Sequence, residues 1–141
     1  FMGIAFSNKG PSEDEVNWIN GVLRQYSSRD AIIITHSYLK KSASYTTQGK
    51  AIFEKIVKAN PNVFLVLCGH CRDISYKNGD GDPDRTVYAI LSNFQGHKAG
   101  GGGYMRILDF KDSDIYIYTY SPYYDSCEYP KGKTEATVPL P

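Results

Sequence analysis

The chain has 141 residues, of which 41% are hydrophobic and 22% are charged, and its formal net charge at pH 7 is +1. This length suits one domain and is sufficient to bury a hydrophobic core, although half of a larger domain would have the same length. The near-neutral charge supplies neither a basic face for nucleic acid nor an acidic tail, so no nucleic-acid partner is indicated.

The sequence contains three cysteines, a number that is odd and too small for a disulfide scaffold. No apolar run approaches the ~18 residues of a membrane span, and the N-terminus lacks the basic start and apolar core of a signal peptide. Residues 1–6 have the composition of the interior of a structural element. We therefore expect the natural chain to continue upstream of Phe1, where a targeting segment could lie. The sequence makes no prediction of the cellular compartment.

The first predicted elements are a strand end and a helix. Residues 1–6 suit the end of a strand, and turn-forming residues at 8–11 stop it. Ser12 and Glu15 then have the spacing of a capping box, in which each side chain satisfies a free amide of the first helical turn. Apolar residues follow at helical spacing and predict an amphipathic helix over residues 13–26.

A short apolar strand over residues 31–35 ends at His36, and a polar loop at 40–47 follows. Because sites are assembled at strand ends, Ser37, Tyr38 and Tyr45 are candidate rim residues, although a solvated loop describes most such positions. A second helix is predicted over residues 48–59, where Asn60 and Pro61 end it.

The next strand, residues 63–68, carries no charge and stops at Gly69 and His70. A strand buried on both faces is typical of a sheet covered by helices, and we expect parallel strands from this part of the chain, then an antiparallel hairpin, with helices on one face. Two strands with a helix between them form a crossover unit, which places both strand ends on the same side of a parallel pair. His36 and His70 would then converge at one rim. Imidazole is the commonest metal ligand, so the pair predicts a shared metal ion, while the alternative for each is an ordinary, partly buried histidine.

The polar stretch at residues 73–84, whose centre is the acidic run 78–84, invites comparison with a calcium loop. Gly and Glu are missing at the sixth and twelfth positions of that motif, so a polar hairpin tip is the better interpretation of the stretch. A strand at 86–92 and a loop at 93–103 follow, and His97 in this loop has no strand-end context. Residues 104–110 and 115–120 predict an antiparallel hairpin, in which the tyrosines of the second strand share one face. These tyrosines could contact a sugar or a partner, but aromatic side chains of this kind more often cover a neighbouring layer of the fold.

Several short motifs together resemble the C-terminal half of the domain found in the calcineurin-like metallophosphoesterase superfamily. They are Thr35-His36, the Gly-His-Cys-Arg of residues 69–72, the Asn-Phe-Gln of 93–95, the Gly-Tyr-Met-Arg of 103–106 and the Tyr-Ser-Pro of 120–122. The resemblance implies an α/β fold, half of a double-sheet sandwich flanked by helices. It also implies that residues 1–122 are the C-terminal portion of that domain, with 123–141 an extended or disordered tail.

The resemblance further implies hydrolysis of phosphate esters at a two-metal centre of the Mn, Fe or Zn class. His36 and His70 match two ligands of one metal. Arg72 stands where the family has a histidine ligand, and a guanidinium cannot bind a metal, so it would contact substrate phosphate or pair with an acid. Tyr38 is the second candidate for substrate binding, and Asp73 is a candidate substitute ligand.

The family's early motifs, which carry the bridging aspartate and the catalytic acid, have no counterpart in these 141 residues. We therefore expect a missing N-terminal half as a partner, an inert chain in its absence, and self-association through an exposed sheet face. Two alternatives stay open. One is a non-catalytic binding or structural module that keeps the fold, and the other is a zinc or redox site at Cys68 and Cys71, with distant Cys127 as a further ligand.

Overall fold

The computed structural model describes residues 2–3, 10–79, 85–127 and 135–141. The chain divides into two compact units. The first consists of Phe1–Cys71 with Ser75–Leu91, and the second of Arg72–Ile74 with Ser92–Pro141.

A five-stranded sheet has most of its residues in the first unit. Its strands are β1 (Met2–Gly3), β2 (Ala31–Ile34), β3 (Val63–Cys68), β4 (Asp73–Asn78) and β5 (Tyr88–Asn93), in the order β1-β2-β3-β5-β4. The pairs β1–β2, β2–β3 and β3–β5 are parallel. The predicted crossover between β2 and β3 is therefore confirmed. Its register places Ile34 opposite Leu67, so the two strands end at the same edge.

Helix α1 (Glu13–Gln25) begins with the predicted capping box. The Ser12 hydroxyl accepts a hydrogen bond from the Glu15 amide, and the Glu15 carboxylate accepts one from the Ser12 amide. The apolar face of the helix buries Ile19 and Leu23, which are 1% and 2% exposed. Sequence and structure differ by one residue at the C-terminus of this helix.

Helix α2 (Thr47–Ile52) continues directly into a π-helical turn, Phe53–Val57, so the predicted second helix is not α-helical throughout. Side chains donate hydrogen bonds to three backbone carbonyls of this turn. Asn20 donates to the carbonyl of Lys55 at 3.0 Å, Asn60 to that of Ile56 at 2.7 Å, and Arg85 to that of Val57 at 2.9 Å. Distant parts of the chain therefore stabilise this irregular helix end.

One hydrophobic core joins the helices to one face of the sheet. Ile33, Val66, Cys68, Ala89 and Leu91 of the strands cluster with buried residues of α1, α2 and the π-helical turn. The central strand β3 is buried along nearly its whole length, as its uncharged sequence predicts.

The second unit contains a short helical segment α3 (Lys98–Gly101), interrupted by left-handed φ angles at Ala99 and Gly100, and a three-stranded antiparallel sheet. The sheet consists of β6 (Met105–Lys111), β7 (Asp114–Tyr120) and β8 (Ala136–Pro139), in that order. Burial alternates along β7, where Ile115, Ile117 and Thr119 are buried. The predicted hairpin is confirmed.

The structure corrects two other expectations. Residues 73–78 form strand β4, although the sequence interpretation treated them as part of a polar loop. Within the predicted 93–103 loop, Lys98–Gly101 forms a tight turn in which Ala99 and Gly100 have left-handed φ angles of 55° and 65°. Strand β5 begins later than the predicted strand at 86–92. Residues 4–9 and the core of the predicted hairpin tip, residues 80–84, lie outside the described part of the chain.

The mixed α/β class with two sheets and helices agrees with the prediction. Within the segment predicted to be an extended or disordered tail, Ala136–Pro139 forms β8, and residues 128–134 are not described. The domain boundary after residue 122 stays a prediction, as does self-association. Among the described residues, no helix has the length and apolar character needed to cross a bilayer.

Candidate metal centre

The two strand-end histidines lie at the same edge of the first unit's sheet. His36 follows β2 and His70 follows β3, and these strands are adjacent and parallel. Backbone pairing continues past both strand ends, since the Thr35 amide donates to the Leu67 carbonyl at 2.9 Å and the Gly69 amide donates to the His36 carbonyl at 3.0 Å. The backbones that carry the two imidazoles are therefore held together by hydrogen bonds.

The imidazoles face each other directly. His36 Nε2 and His70 Nδ1 lie 3.0 Å apart, with ring centroids separated by 4.8 Å and an interplanar angle of 71°. Both residues are exposed to solvent. His70 has a φ of 60°, in the left-handed region that non-glycine residues seldom adopt. Such conformations cluster at functional sites, because the surrounding structure must hold them in place.

The spacing of the two nitrogens fits a shared metal ion. Nitrogens bound to one zinc ion at about 2.0–2.1 Å lie roughly 2.9–3.4 Å apart for N–metal–N angles of about 90–110°. The observed 3.0 Å lies in this range. The same distance also suits an N–H···N hydrogen bond between the neutral tautomers. For both facing nitrogens to bind one cation, the bridging proton would move to the other nitrogen of its own ring, which frees both lone pairs.

Two nitrogens do not complete a coordination shell, which needs at least one or two further protein ligands. Within residues 2–3, 10–79, 85–127 and 135–141, no group of three or more His, Cys, Asp or Glu side chains is arranged to hold a metal. The described residues therefore supply two ligand positions and leave the others to water or to other polypeptide.

The predicted rim residues after His36 pack against other side chains of the first unit. Tyr38 is 1% exposed, and its ring meets that of Tyr45 edge-on at 5.2 Å. Tyr45 in turn stacks on Phe53, and the Ser37 hydroxyl donates to Thr46 Oγ1 at 3.2 Å. Substrate contact by Tyr38 stays a prediction, and its burial favours a role in packing.

Arg72 and Asp73 belong to the second unit. Arg72 is exposed, and its aliphatic stem lies over Gly96, where an added Cβ would be 3.4 Å from Arg72 Cδ. Asp73 is 6% exposed, and its carboxylate accepts the Ile74 amide at 2.9 Å. Their roles toward substrate and metal stay predictions.

The thiols give no support to a zinc or redox site. All three cysteines lie in the described residues and are free. Cys68 packs in the core, and its burial raises the pKa of the thiol to about 11. Since the thiolate is the nucleophile in thiol–disulfide exchange, this raised pKa disfavours a redox role for Cys68, and among the described residues no group of three His, Cys, Asp or Glu side chains is arranged to hold a metal ion.

Sequence reasoning missed a second concave site. His97, Lys98, Tyr104 and Tyr124 line a cavity in the second unit. The signal in the sequence was the run of four glycines immediately before Tyr104, because such a run allows backbone to approach aromatic rings closely.

Comparisons with known proteins bear mainly on the fold. No family model matches the chain. An uncharacterized protein, YvnB, of Bacillus subtilis (strain 168) is 40% identical over 122 residues, which is 81% of this chain and 10% of YvnB. A crystal structure of a dimetal phosphatase from Danio rerio superposes with a TM-score of 0.62 and 11% identity, covering 92% of this chain and 38% of the phosphatase.

The chain therefore spans about a tenth of the curated relative and well under half of the solved phosphatase. At 11% identity the likeness shows the fold alone. This chain has a fold similar to part of a dimetal phosphatase. The predicted α/β fold is thus confirmed, while the superfamily and the half-domain interpretation stay predictions.

Proposed function

We propose that this chain is part of a divalent-metal phosphoesterase in which His36 and His70 hold one metal ion. The observation that carries the proposal is the 3.0 Å separation of His36 Nε2 and His70 Nδ1. The similarity of the fold to that of a dimetal phosphatase supports it at a coarser level. The proposal places the chain among the calcineurin-like metallophosphoesterases as the C-terminal half of the domain.

The two histidines of this chain would hold and orient the metal ion. Neutral imidazoles on two hydrogen-bonded backbones provide ligands whose positions are set before binding, so little side-chain entropy is lost. A bound divalent ion supplies Lewis acidity toward a phosphate ester and lowers the pKa of water. Arg72, with its planar fork of donors, is proposed to bind substrate phosphate. The second metal's ligands and the catalytic acid are proposed to lie in an N-terminal half.

Metal binding by this chain tests the proposal without requiring catalysis. Zn²⁺ and Mn²⁺ would be titrated by calorimetry into the wild-type chain and into His36→Ala and His70→Ala. We expect each substitution to weaken metal binding at least about tenfold. Replacing a residue that only hydrogen-bonds to a metal ligand already lowers metal affinity ~10–100-fold, and loss of a ligand itself should cost no less. His97→Ala is the matched control, since it removes the third histidine from the second unit.

Two results would overturn the metal site: equal affinity in the wild type and both variants, or an equal loss in His97→Ala. Activity forms a separate arm, measured as hydrolysis of 4-nitrophenyl phosphate by the longer protein with added Mn²⁺, Fe²⁺ or Zn²⁺. We expect hydrolysis by the longer protein and none by the 141-residue chain.

A non-catalytic binding or structural module is the second candidate. Two observations favour it: no group of three candidate ligands occurs in the described residues, and arginine occupies position 72 where a ligand histidine is expected. Under this alternative the longer protein would bind phosphate esters or no ligand at all, and the phosphatase assay would stay blank with every added metal.

A further inference from the structure

The cavity of the second unit has the size of a small-molecule site. Its volume is about 430 Å³, and its lining residues are His97, Lys98, Tyr104 and Tyr124. Ligand pockets in proteins commonly measure ~300–1,000 Å³. The lining comes from two separate parts of the chain, the segment around α3 and the turn after β7.

Aromatic rings form the walls of this cavity. Tyr104 lies at the centre, with its ring centroid 5.9 Å from those of Phe94, His97 and Tyr124. These three rings are tilted by 41–69° to the Tyr104 ring, so none of them stacks flat against it and an open space is left beside Tyr104. Tyr124 is 48% exposed, which leaves a large part of its surface available to a ligand.

The glycine-rich loop is shaped to these rings. A Cβ at Gly102 would lie 2.8 Å from Tyr124 Cε2, closer than real Cβ atoms come, and 3.0 Å from Tyr104 Cε2, which is a tight contact. Gly102 also has a φ of 62°, which a side chain would disfavour. A side chain at this position would therefore adopt a strained backbone conformation and displace the two tyrosine rings.

A buried hydroxyl ties the loop to the turn. Ser121 is 0% exposed, and its Oγ donates to the Gly102 carbonyl at 2.5 Å while accepting the Tyr124 amide at 3.1 Å. One residue thus fixes both the floor and one wall of the cavity. A buried polar group with both partners satisfied rigidifies its surroundings, so the cavity is held in one shape.

The charges around the cavity favour an anion. Lys98 contributes an ammonium to the lining, and no carboxylate lines the cavity within the described residues. The nearby Asp125 carboxylate accepts the Tyr120 hydroxyl at 2.8 Å. Aromatic cages that bind quaternary ammonium ligands exploit attraction between cation and ring, and a lysine in the lining opposes such a ligand.

We propose that this cavity binds a small aromatic anion, with the chemistry of a nucleoside monophosphate. The ring of the ligand stacks on Tyr104 and Tyr124, and its anionic group lies beside Lys98. Stacking on an aromatic side chain is favourable for any nucleobase, because every base presents a π-face. The proposal goes beyond the phosphoesterase function and does not depend on the histidine pair.

Calorimetric titration of the 141-residue chain in EDTA tests this site in the absence of metal. The probes are AMP, phenyl phosphate, adenosine, ribose 5-phosphate and choline. We expect AMP to bind at least about fivefold more tightly than adenosine or ribose 5-phosphate, since each lacks one of the two groups recognised. Phenyl phosphate as tight as AMP would assign the site to any aromatic anion, and weaker binding would assign it to a nucleobase.

Substitutions locate the binding. Tyr124→Ala and Lys98→Met should each weaken AMP binding at least about fivefold. The matched controls are Tyr116→Ala and Lys111→Met, which change an exposed tyrosine and an exposed lysine of the same unit outside the cavity. Circular dichroism would verify that each variant is folded.

Three outcomes would overturn the proposal: no heat from millimolar AMP, choline binding as tightly as AMP, or equal AMP affinity in the wild type and Tyr124→Ala. Because the assay contains EDTA, a failure of metal binding at His36 and His70 leaves its result unaffected. The two proposals therefore fail independently.

Discussion

Gly49 packs so tightly against the backbone of Tyr38 that a Cβ at position 49 would overlap the Tyr38 carbonyl oxygen. This contact closes the connection between His36 and helix α2. The same carbonyl accepts the Thr46 amide at 2.9 Å, and Thr46 Oγ1 accepts the Gly49 amide at 2.9 Å as the N-cap of the helix. The chain after His36 is thus fixed by a glycine and a threonine that carry no chemistry of their own.

Gly49→Ala should destabilise the chain, although alanine is the better helix former. The clash is with backbone, which cannot rotate away, so we expect a loss of about 2–4 kcal/mol in the free energy of unfolding. Urea denaturation followed by circular dichroism measures it.

Gly21→Ala is the matched control. Gly21 lies inside α1, and an added Cβ there meets no atom within 4 Å. This variant should be stabilised by up to about 1 kcal/mol. Equal effects at the two positions would mean that the Tyr38 contact is absent in solution.

Arg85 should contribute strongly to the end of the π-helical turn. Its guanidinium donates to the carbonyls of Asn60 and Val57 at 2.5 and 2.9 Å. Arg85→Lys keeps the charge, but a single ammonium group cannot donate to both carbonyls with the geometry of the planar guanidinium. We therefore expect a loss of about 1–3 kcal/mol in the free energy of unfolding. Arg24→Lys, an exposed change on α1, should alter stability by less than about 0.5 kcal/mol. Comparable losses in the two variants would argue against the carbonyl contacts.

The elements that the sequence predicted well are those with local signals. The capping box at Ser12 and Glu15 marks the start of α1, and the uncharged runs before His36 and His70 mark strands β2 and β3. Because parallel neighbours in one crossover end at the same edge, the meeting of the two imidazoles also follows from the sequence. The structure adds their spacing.

Features that depend on distant partners were not predictable in this way. Strand β4 alternates Ile74 and Tyr76 with polar residues, and its assignment depends on pairing with β5, where Tyr76 stacks on Tyr88 at 6.1 Å. The aromatic cavity likewise needs Tyr124 to reach a loop some twenty residues earlier in the chain, through Ser121. Neither contact can be recognised from the residues next to one another in the sequence, because each joins side chains or backbone from separate elements.

The capping box predicts a pH dependence of stability. The amide and hydroxyl of Ser12 donate to the Glu15 carboxylate, both at 2.7 Å, and hold the pKa of that carboxyl below its ordinary value of 4.5. A carboxyl whose pKa is lower when folded stabilises the fold above its unfolded pKa, and this contribution is lost as the pH falls through the folded pKa.

Glu15→Gln should therefore melt below the wild type at pH 7, and the difference in melting temperature should shrink toward pH 3. Glu13→Gln, in the same helical turn but outside the box, is the control and should show a smaller change with pH. A difference that stays constant from pH 7 to pH 3 would exclude the charged capping interaction. Ser12→Ala should cost about 1 kcal/mol at neutral pH.

The three thiols should differ in reactivity according to their burial. Cys68 is 8% exposed with a pKa raised to about 11 by burial, Cys71 is half-buried, and Cys127 is exposed. Because the thiolate is the attacking species, Cys127 should react first with Ellman's reagent at pH 8, and Cys68 only on unfolding. Cys127→Ser should remove the fast phase, whereas Cys68→Ala should leave it intact and lower stability by about 1–2 kcal/mol. A Cys68 that reacts as fast as Cys127 in the folded chain would show that the end of β3 opens, and with it the strand that positions His70.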